Sequence, residues 1–413
     1  MHATLQLTPE EEAVLRGEAG PGPRKAMEMV TALGRIYGAE RLTPVESVQV
    51  SGVSYKNLGE AGLAFLQEWA DQGARVQAPT LLNPAGMDME RWRELGITEG
   101  FAQRQEAVIR AFERFGIQPT MTCTPYLVAS WPRPGSHLAW AESSAVSFAN
   151  SVIGARTNRE GGPSALAAAI VGRTAAYGLH LARNRQATLE VHLRAPLRDE
   201  ADFGALGILV GRRAGQGVPA FVDLPEQLPT VGRLERLKTL GAAMAAAGAV
   251  ALFHVVGVTP EARDEPALAR APERLVVESL AEAYALLNAP AEAVDLVSIG
   301  CPHASLEEIA QVAAGVAGRR LATRLWVTTA RATRAEAERR GWVPTIEAAG
   351  GHVVADTCTV VAPIEALGVR TLATNAAKTA FYAPSHSRVA VRFGNLARCL
   401  EAAIHGRWPG GEV

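Results

Sequence analysis

The chain has 413 residues, 48% of them hydrophobic, so it is long enough to bury cores in two or three domains. Its 41 lysines and arginines nearly balance its 42 aspartates and glutamates, which argues against a strongly charged surface for nucleic acid or a membrane. The sequence contains neither an apolar run long enough to span a bilayer nor a basic, apolar signal sequence at its start. We therefore expect a cytoplasmic protein with a small-molecule partner.

Predicted helices and strands alternate along the first part of the chain. Thr8 is expected to cap a first helix, and residues 45–53 alternate in polarity as a strand does. A helix predicted over 103–115 leads into a strand over 117–122, which ends at Cys123. This order of elements is typical of an α/β domain.

The same alternation continues in the later part of the chain. A helix over 234–247 precedes the apolar run 249–258, whose composition is typical of a strand buried in a parallel sheet. Strands are predicted over 294–300 and 324–329, and Ser305 caps the helix between them. The fold class predicted for the whole chain is α/β.

Two segments are the best candidates for linkers, the charged stretch 194–202 and the acidic, helical stretch 273–292. They divide the chain into three predicted α/β domains, which span residues 1–195, 196–290 and 291–413. The first domain contains one candidate ligand cysteine and most of the polar segments, and the third contains two further cysteines of this kind.

Three of the four cysteines share a structural position. Cys123, Cys301 and Cys358 each follow a predicted strand, and ligands gather at the carboxyl ends of parallel strands in α/β sheets. Three thiolates that converge there suit an iron–sulfur centre. Disulfides are not expected in a chain of this size, while a zinc site, a single nucleophilic cysteine and plain burial stay open as alternatives. Cys399 lies in an amphipathic helix, where we expect it to pack.

Polar residues accompany these cysteines. His303 follows Cys301 at the start of a helix, whose dipole favours a neutral imidazole that can act as a hydrogen-bonding group or a base. Its alternative role is to cap the turn. Lys378 lies with Asn375 in an alanine-rich polar segment and is a candidate for binding an anion, although a surface helix is the simpler interpretation.

The segment 154–163 offers two guanidinium groups around an amide, followed by a double glycine. Arg156 or Arg159 can bind a carboxylate through two hydrogen bonds while Asn158 orients it. A structural network through Glu160 is the alternative. The segment is neither a Walker loop nor a dinucleotide-binding turn, because the residues that define those motifs are missing.

Seven segments of the chain together resemble the aconitase X family, and the resemblance extends over essentially the whole sequence. They are Ser51-Gly-Val-Ser-Tyr, Thr122-Cys-Thr-Pro-Tyr, Glu142-Ser-Ser-Ala, the string from Ala149 to Ser164, Ile299-Gly-Cys-Pro-His, Asp356-Thr-Cys and the string from Thr374 to Tyr382.

The resemblance implies an aconitase-like fold, a hydro-lyase activity and an iron–sulfur cluster of 2Fe–2S, 3Fe–4S or 4Fe–4S type, held by Cys123, Cys301 and Cys358. Bacterial members of the family dehydrate cis-3-hydroxy-L-proline to Δ1-pyrroline-2-carboxylate, which is the activity we predict first. One alternative is the archaeal activity on mevalonate 5-phosphate, which needs more positive charge to hold the phosphate. Another is a non-catalytic iron–sulfur protein that senses a metabolite.

For the hydroxy-acid dehydration we predict His303 and Lys378 as catalytic residues. The predicted substrate-binding residues are Ser54, Tyr55, Ser144, Asn150, Arg156, Asn158, Arg159 and Asn375. The family also uses a small swivelling domain that carries a catalytic serine, and no segment of this sequence is left over for it. The resemblance therefore predicts the large subunit of a heterodimer whose small subunit supplies that serine.

Overall fold

The computed structural model describes residues 4–410. Residues 1–3 and 411–413, at the outer ends of the first and third predicted domains, lie outside the described residues. The described part contains 14 strands: β1 (Leu42–Pro44), β2 (Val48–Val50), β3 (Thr80–Leu82), β4 (Ala139–Trp140), β5 (Arg173–Ala175), β6 (Leu189–Leu193), β7 (Pro219–Phe221), β8 (His254–Val255), β9 (Glu273–Val277), β10 (Leu296–Ile299), β11 (Arg324–Thr329), β12 (His352–Ala355), β13 (Thr371–Thr374) and β14 (Ala390–Phe393).

The same residues contain 15 α-helices: α1 (Pro9–Arg16), α2 (Pro21–Ile36), α3 (Tyr55–Asp71), α4 (Glu99–Arg114), α5 (Ser143–Phe148), α6 (Gly162–Val171), α7 (Glu200–Ala214), α8 (Arg233–Gly248), α9 (Pro260–Asp264), α10 (Ala281–Leu287), α11 (Leu306–Val316), α12 (Arg331–Arg339), α13 (Trp342–Ala349), α14 (Ala377–His386) and α15 (Leu396–His405).

Three parallel sheets carry the fold. One has five strands in the order β12-β11-β10-β13-β14, a second has the order β8-β7-β6-β9, and a third has the order β3-β2-β4. Strands β1 and β5 form a small antiparallel pair. Parallel strands need crossover connections, and strands β2 and β10 are buried along their whole length. The predicted α/β class is confirmed.

Local signals in the sequence place several elements correctly. The Thr8 side chain accepts a hydrogen bond from the N–H of Glu11, and the Glu11 carboxylate accepts one from the N–H of Thr8, so the predicted capping box begins α1. Ser305 and Glu308 form the same motif at the start of α11. Strand β11 has the predicted bounds, and Cys399 is fully buried on α15, as expected.

Other strand predictions are wrong in extent. Within the predicted strand 45–53, only the three residues of β2 form a strand, and within 249–258 only the two residues of β8 do. Burial of an apolar run does not by itself make a strand. Residues 117–122 form no strand, since Pro119 lacks an N–H to donate to a neighbouring strand. Cys123 therefore lies on a loop.

The acidic segment 273–292 is not a helical linker. Strand β9 occupies its beginning and pairs in parallel with β6, and the short helix α10 follows. The division of the chain into three domains stays a prediction. No helix within residues 4–410 combines the length and the apolar character needed to cross a bilayer.

Candidate active site

Two of the three candidate ligand cysteines follow strands of the five-stranded sheet. Cys301 comes directly after Gly300 at the end of β10, and Cys358 follows β12 by a short loop. Because β10, β11 and β12 are parallel, their carboxyl ends lie at the same edge of the sheet. Cys123 reaches this edge from its loop, where its sulfur accepts a hydrogen bond of 3.1 Å from the backbone N–H of His303. The structure thus brings the three thiols together.

The thiols lie within electrostatic reach of one another. Burial raises the pKa of Cys123, and the charges of Cys358 and Cys301 raise it further. Burial and the neighbouring Cys301 raise the pKa of Cys358 to about 12. In the absence of metal these thiols are therefore neutral at pH 7, so metal binding here releases protons.

The chemistry of this donor set decides which kind of metal centre it fits. Within the described part of the chain, no three His, Cys, Asp or Glu side chains are arranged to hold one metal ion. A cluster takes its thiolates on different iron atoms, so its protein ligands stand farther apart than those of a single ion. The hydroxyl of Thr357, next to Cys358 in sequence, is buried and has no hydrogen-bond partner among residues 4–410. Three convergent thiols are a donor set that an iron–sulfur cluster can use.

The His303 ring is fully buried between the two loops that carry Cys123 and Cys358. Its Nδ1 lies 3.0 Å from Thr122 Oγ1, and its Nε2 lies 3.0 Å from the carbonyl oxygen of Thr357. Burial lowers the pKa of His303 to about 4, so the imidazole is neutral as predicted, although the cause is desolvation rather than a helix dipole. Both ring nitrogens have protein partners, which suits a residue that positions the two loops.

A buried ion pair lies beside the thiols. Lys378 Nζ contacts Glu142 Oε1 and lies 3.4 Å from Ser144 Oγ. Burial opposes both charges, but the attraction between them lowers the pKa of Glu142 to about 2 and raises the pKa of Lys378 above its usual value. The charges of Cys301 and Cys123 also raise the pKa of Lys378. The ammonium group therefore belongs to the same site as the thiols.

Sequence reasoning missed Glu142 and Asn83 as site residues. Glu142 caps α5 by accepting from the N–H of Ser144 at 3.4 Å, and its second oxygen accepts from Asn83 Nδ2 at 2.8 Å. The available signals were the acidic residue at the start of a serine-rich helix and the asparagine directly after strand β3. Neither signal indicates which side chain the residue contacts.

Three of the predicted substrate-binding residues lie around this region with different partners. The hydroxyl of Ser54 donates to the carbonyl of Val361 at 2.8 Å, in the segment after the third cysteine. The hydroxyl of Tyr55 instead donates to Glu60 at the exposed surface, over 2.7 Å. Asn375 follows strand β13, and its Oδ1 is buried without a partner in the described chain. Ser54 thus contacts the loop that follows Cys358, the Tyr55 hydroxyl is engaged outside the site, and substrate binding by Asn375 stays a prediction.

The segment after α5 has many contacts within the protein. Asn150 donates to the carbonyls of Thr157 and Ala251 and accepts from the N–H of Thr157. Arg156 donates to the carbonyl of His180 at 3.3 Å. These bonds stabilise the loop, and substrate binding by Asn150 and Arg156 stays a prediction.

Asn158 and Arg159 lie on a cavity of about 490 Å³ at the protein surface. Tyr37 and Tyr177 also line this cavity, and none of the three candidate ligand cysteines does. Asn158 donates to the carbonyl of Tyr177, and Arg159 donates to that of Ala245. The structure does not bring these two predicted residues to the thiols.

Comparison with known proteins identifies the family. Family models described as the first, second and third domains of aconitase X match residues 4–183, 187–284 and 294–405. The chain belongs to the aconitase X family. It is an enzyme of the hydro-lyase class, and the predicted family, aconitase-like fold and enzyme class are all confirmed.

Similar proteins fall into two groups by activity. The phosphomevalonate dehydratase large subunit of Methanocaldococcus jannaschii is 47% identical over 404 residues, which cover 96% of this chain and 100% of that protein. Its counterpart from Methanothermobacter thermautotrophicus is 50% identical over 376 residues, which cover 91% of this chain and 92% of that protein. The cis-3-hydroxy-L-proline dehydratase of Pseudomonas aeruginosa is 39% identical over 412 residues, covering 97% of this chain but 70% of that protein. A crystal structure of Thermococcus kodakaraensis aconitase X in its holo-form matches 96% of this chain and 100% of that chain, with a TM-score of 0.89 and 45% identity.

Proposed function

We propose that this chain is the large subunit of a phosphomevalonate dehydratase. The observation that carries the proposal is the similarity to large subunits of that name, four of which are 44–50% identical and are covered over 92–100% of their length. The cis-3-hydroxy-L-proline dehydratases are 36–39% identical, and the chain covers 69–70% of them. This order reverses our sequence-based ranking, in which cis-3-hydroxy-L-proline came first.

The proposed reaction removes water from mevalonate 5-phosphate. The hydroxyl group leaves C3 with its electron pair, a base takes a proton from C2, and a C2=C3 double bond forms. The enzyme must therefore hold the carboxylate next to C2, place a base near the C2 proton and assist the departure of hydroxide.

Three residues of this chain are proposed to hold the cofactor. Cys123, Cys301 and Cys358 supply thiolates for an iron–sulfur cluster, in line with their mutual proximity and with the usual cofactor of aconitase-like dehydratases. A bound cluster with an open iron position supplies Lewis acidity for a substrate hydroxyl. The N–H of His303 orients the sulfur of Cys123, so we now propose His303 as a positioning residue rather than a catalytic one.

The chain also supplies a fixed positive charge. The Lys378 ammonium is held by Glu142 and lies within electrostatic reach of two of the thiols, so we propose that it attracts the substrate carboxylate. Ser144 shares this position and can bind the same group through its hydroxyl. We do not assign Arg159 and Asn158 to this step, because the cavity they line contains none of the thiol residues.

A small subunit is proposed as the partner. Several similar proteins are named as large subunits, which supports a second chain in the active enzyme. By the family resemblance, that chain brings the serine that acts as the base. The two candidate bases near the thiols among residues 4–410 are both engaged: His303 is hydrogen-bonded on both nitrogens, and Glu142 is paired with Lys378.

The test is to prepare the two-chain enzyme anaerobically with iron and sulfide and to assay two substrates side by side. We expect kcat/KM for mevalonate 5-phosphate to exceed that for cis-3-hydroxy-L-proline by about 100-fold or more, since the two acids differ in both size and charge. The reverse order would instead favour the second candidate, which rests on the 39% identical dehydratase. Tight binding without turnover of either acid would overturn both and favour a sensor.

A further inference from the structure

Arg331 follows the strand that lies between two of the ligand loops. Strand β11 pairs with β10 on one side and with β12 on the other. The loops after β10 and β12 carry Cys301 and Cys358, and Arg331 is the first residue of α12, two residues after β11 ends. Because the carboxyl ends of parallel strands share one edge of the sheet, Arg331 starts from the same edge as these two cysteines.

The Arg331 guanidinium holds two buried carboxylates together. Its Nε lies 3.3 Å from Asp356 Oδ1, and one terminal nitrogen contacts Asp356 Oδ2 and lies 3.2 Å from Asp88 Oδ1. The Asp88 and Asp356 side chains are 1% and 0% exposed, and the exposed Glu90 contacts the other terminal nitrogen. No other cation within residues 4–410 forms an ion pair with either aspartate. Without Arg331, two carboxylates would be buried near each other with no positive charge between them.

The two carboxylates fix the turn that leads to Cys358. Asp356 has a φ of 64°, in the left-handed region that a residue with a Cβ keeps only when its surroundings hold it there. Its carbonyl oxygen accepts from the N–H of Ala85 at 2.8 Å, and Asp88 Oδ2 accepts from the N–H of Ala355 at 2.9 Å. The guanidinium joins these two attachments, since it bonds both acids. The direction in which the chain leaves β12 therefore depends on it.

The stability of α12 does not explain a positive charge at this position. A cation at the first residue of a helix is repelled by the positive end of the helix dipole, and the first turn of α12 contains no acidic residue to offset this. The two buried acids that bind the guanidinium come from other segments, one after β3 and one after β12. The arrangement thus favours the turn before Cys358 at the expense of the helix.

We propose that Arg331 is a positioning residue for the cofactor, which fixes Cys358 relative to Cys301 through the turn before Cys358. The inference rests on the proposed function in taking these thiols as cluster ligands. The end of β11 also fixes the other loop, because the hydroxyl of Thr328 donates to the carbonyl of Gly300 at 2.7 Å, next to Cys301. Residues that orient the ligands of a metal centre determine how tightly it is held, although they do not touch it. The end of β11 thus sets the separation of the two sulfurs.

The test compares cluster retention in the reconstituted two-chain enzyme and in three variants. Arg331→Met removes the charge, Arg331→Lys keeps it without the planar fork that bonds two carboxylates, and Arg334→Met is the matched control on the same helix. The Arg334 side chain is 14% exposed, but its Nε donates to the carbonyl of Val353 within β12, before the turn. Loss of visible absorbance is followed anaerobically in the presence of an iron chelator, and visible circular dichroism reports the geometry of the cluster.

We expect Arg331→Met to lose its cluster about 10-fold faster than the wild type or more, with an altered dichroism spectrum, because Cys358 is no longer held in place. Arg331→Lys should lie between the two, and Arg334→Met should stay within about two-fold of the wild type. Urea unfolding of each variant measures separately how much the fold is weakened. If Arg331→Met does not fold, the double variant Arg331→Met with Asp88→Asn loses the same bridge and leaves one buried charge fewer.

Three outcomes would contradict the inference. Equal rates of cluster loss in Arg331→Met and Arg334→Met, at similar free energies of unfolding, would mean that Arg331 only stabilises the fold. A lysine variant no better than the methionine variant would mean that the positive charge does not hold the turn. A wild-type enzyme that binds no cluster would overturn the ligand set and this proposal together. A wild-type enzyme that keeps its cluster but does not dehydrate mevalonate 5-phosphate would overturn the proposed substrate alone, since the absorbance comparison decides the role of Arg331 without turnover.

Discussion

The backbone N–H of His303 donates to the sulfur of Cys123 over 3.1 Å, although 180 residues separate them in the chain. His303 follows Cys301 by two residues, so this bond joins the loops of two candidate cluster ligands. Its ring extends the connection to Thr357, next to the third cysteine. One buried residue thus couples three distant parts of the sequence, and the geometry of the thiols depends on all of them.

Replacing Cys301 by alanine should abolish cluster binding. With one of three thiolates missing, we expect the reconstituted two-chain enzyme to lose its visible iron–sulfur absorbance and its dehydratase activity. The matched control is Cys399→Ala, because Cys399 is equally a free cysteine but lies fully buried in the core on α15. That variant should keep the absorbance and lose about 1 kcal/mol of stability or less. Equal absorbance in the two variants would contradict the proposed ligand set.

Glu142→Gln should be strongly destabilising. The side chains of Lys378 and Glu142 are only 8% and 12% exposed, so removing one charge leaves the other buried without compensation. We expect the free energy of unfolding to fall by about 3–5 kcal/mol in urea titrations. The double variant Glu142→Gln with Lys378→Met should recover part of this loss, since no charge then remains buried.

The control for these Glu142 and Lys378 variants is a solvent-exposed ion pair. Glu12 and Arg16 lie 3.6 Å apart, with side chains 57% and 59% exposed. Glu12→Gln should change the free energy of unfolding by less than about 0.5 kcal/mol. A similarly small effect of Glu142→Gln would show that the buried pair has little structural importance.

His180 should make the stability of the protein depend on pH. Burial lowers its pKa to about 3, and the charges of His137, Arg185 and Arg156 act in the same direction. Because the folded state binds fewer protons than the unfolded state, this contribution is complete above the unfolded pKa near 6.5 and is lost as the pH falls from there toward 3.

The measurement is urea unfolding of wild type and His180→Gln at pH 7.5 and pH 5. We expect the wild type to lose about 2 kcal/mol more than the variant between these two pH values. Equal losses in the two proteins would mean that His180 is not held neutral by the fold.

Of the two consecutive glycines Gly161 and Gly162, only Gly162 should be required for packing. A Cβ on Gly162 would lie 2.5 Å from the carbonyl oxygen of Ser51, a backbone atom that cannot turn away. A Cβ on Gly161 would meet nothing closer than Ser164 Oγ at 3.7 Å. We expect Gly162→Ala to lower the free energy of unfolding by about 2 kcal/mol and Gly161→Ala by less than about 1 kcal/mol. Similar thermal midpoints for the two variants would be evidence against this interpretation.

The sequence predicted those features of the site that are determined by residues close to each other in the chain. Cys301 and Cys358 follow apolar strands that local composition indicates, and the cap at Ser305 is a four-residue pattern. The loop position of Cys123 was not predicted. A hydrogen bond from a residue distant in the chain holds Cys123 there, and no strand pairing is involved.

The pairing of Glu142 with Lys378 was beyond sequence reasoning for the same reason. The two residues are 236 positions apart. In the sequence, each of them looks like an ordinary charged residue near the start of a helix. Only the folded structure, in which α5 and α14 both pack against α8, brings the two residues together.

The isolated chain should bind the cluster but turn over little substrate. All three candidate ligand thiols and the buried cation belong to this chain, so cluster absorbance should survive without a partner. In the described part of the chain, the candidate bases near them, His303 and Glu142, are engaged in hydrogen bonds and an ion pair. We expect kcat to fall by about 100-fold or more without the small subunit, as is typical when a general base is removed. Adding the purified small subunit to the same sample should restore it, while a small subunit with its serine replaced by alanine should not. Full activity of the isolated chain, with a single polypeptide on a denaturing gel, would contradict the two-chain assignment and require a base within this chain.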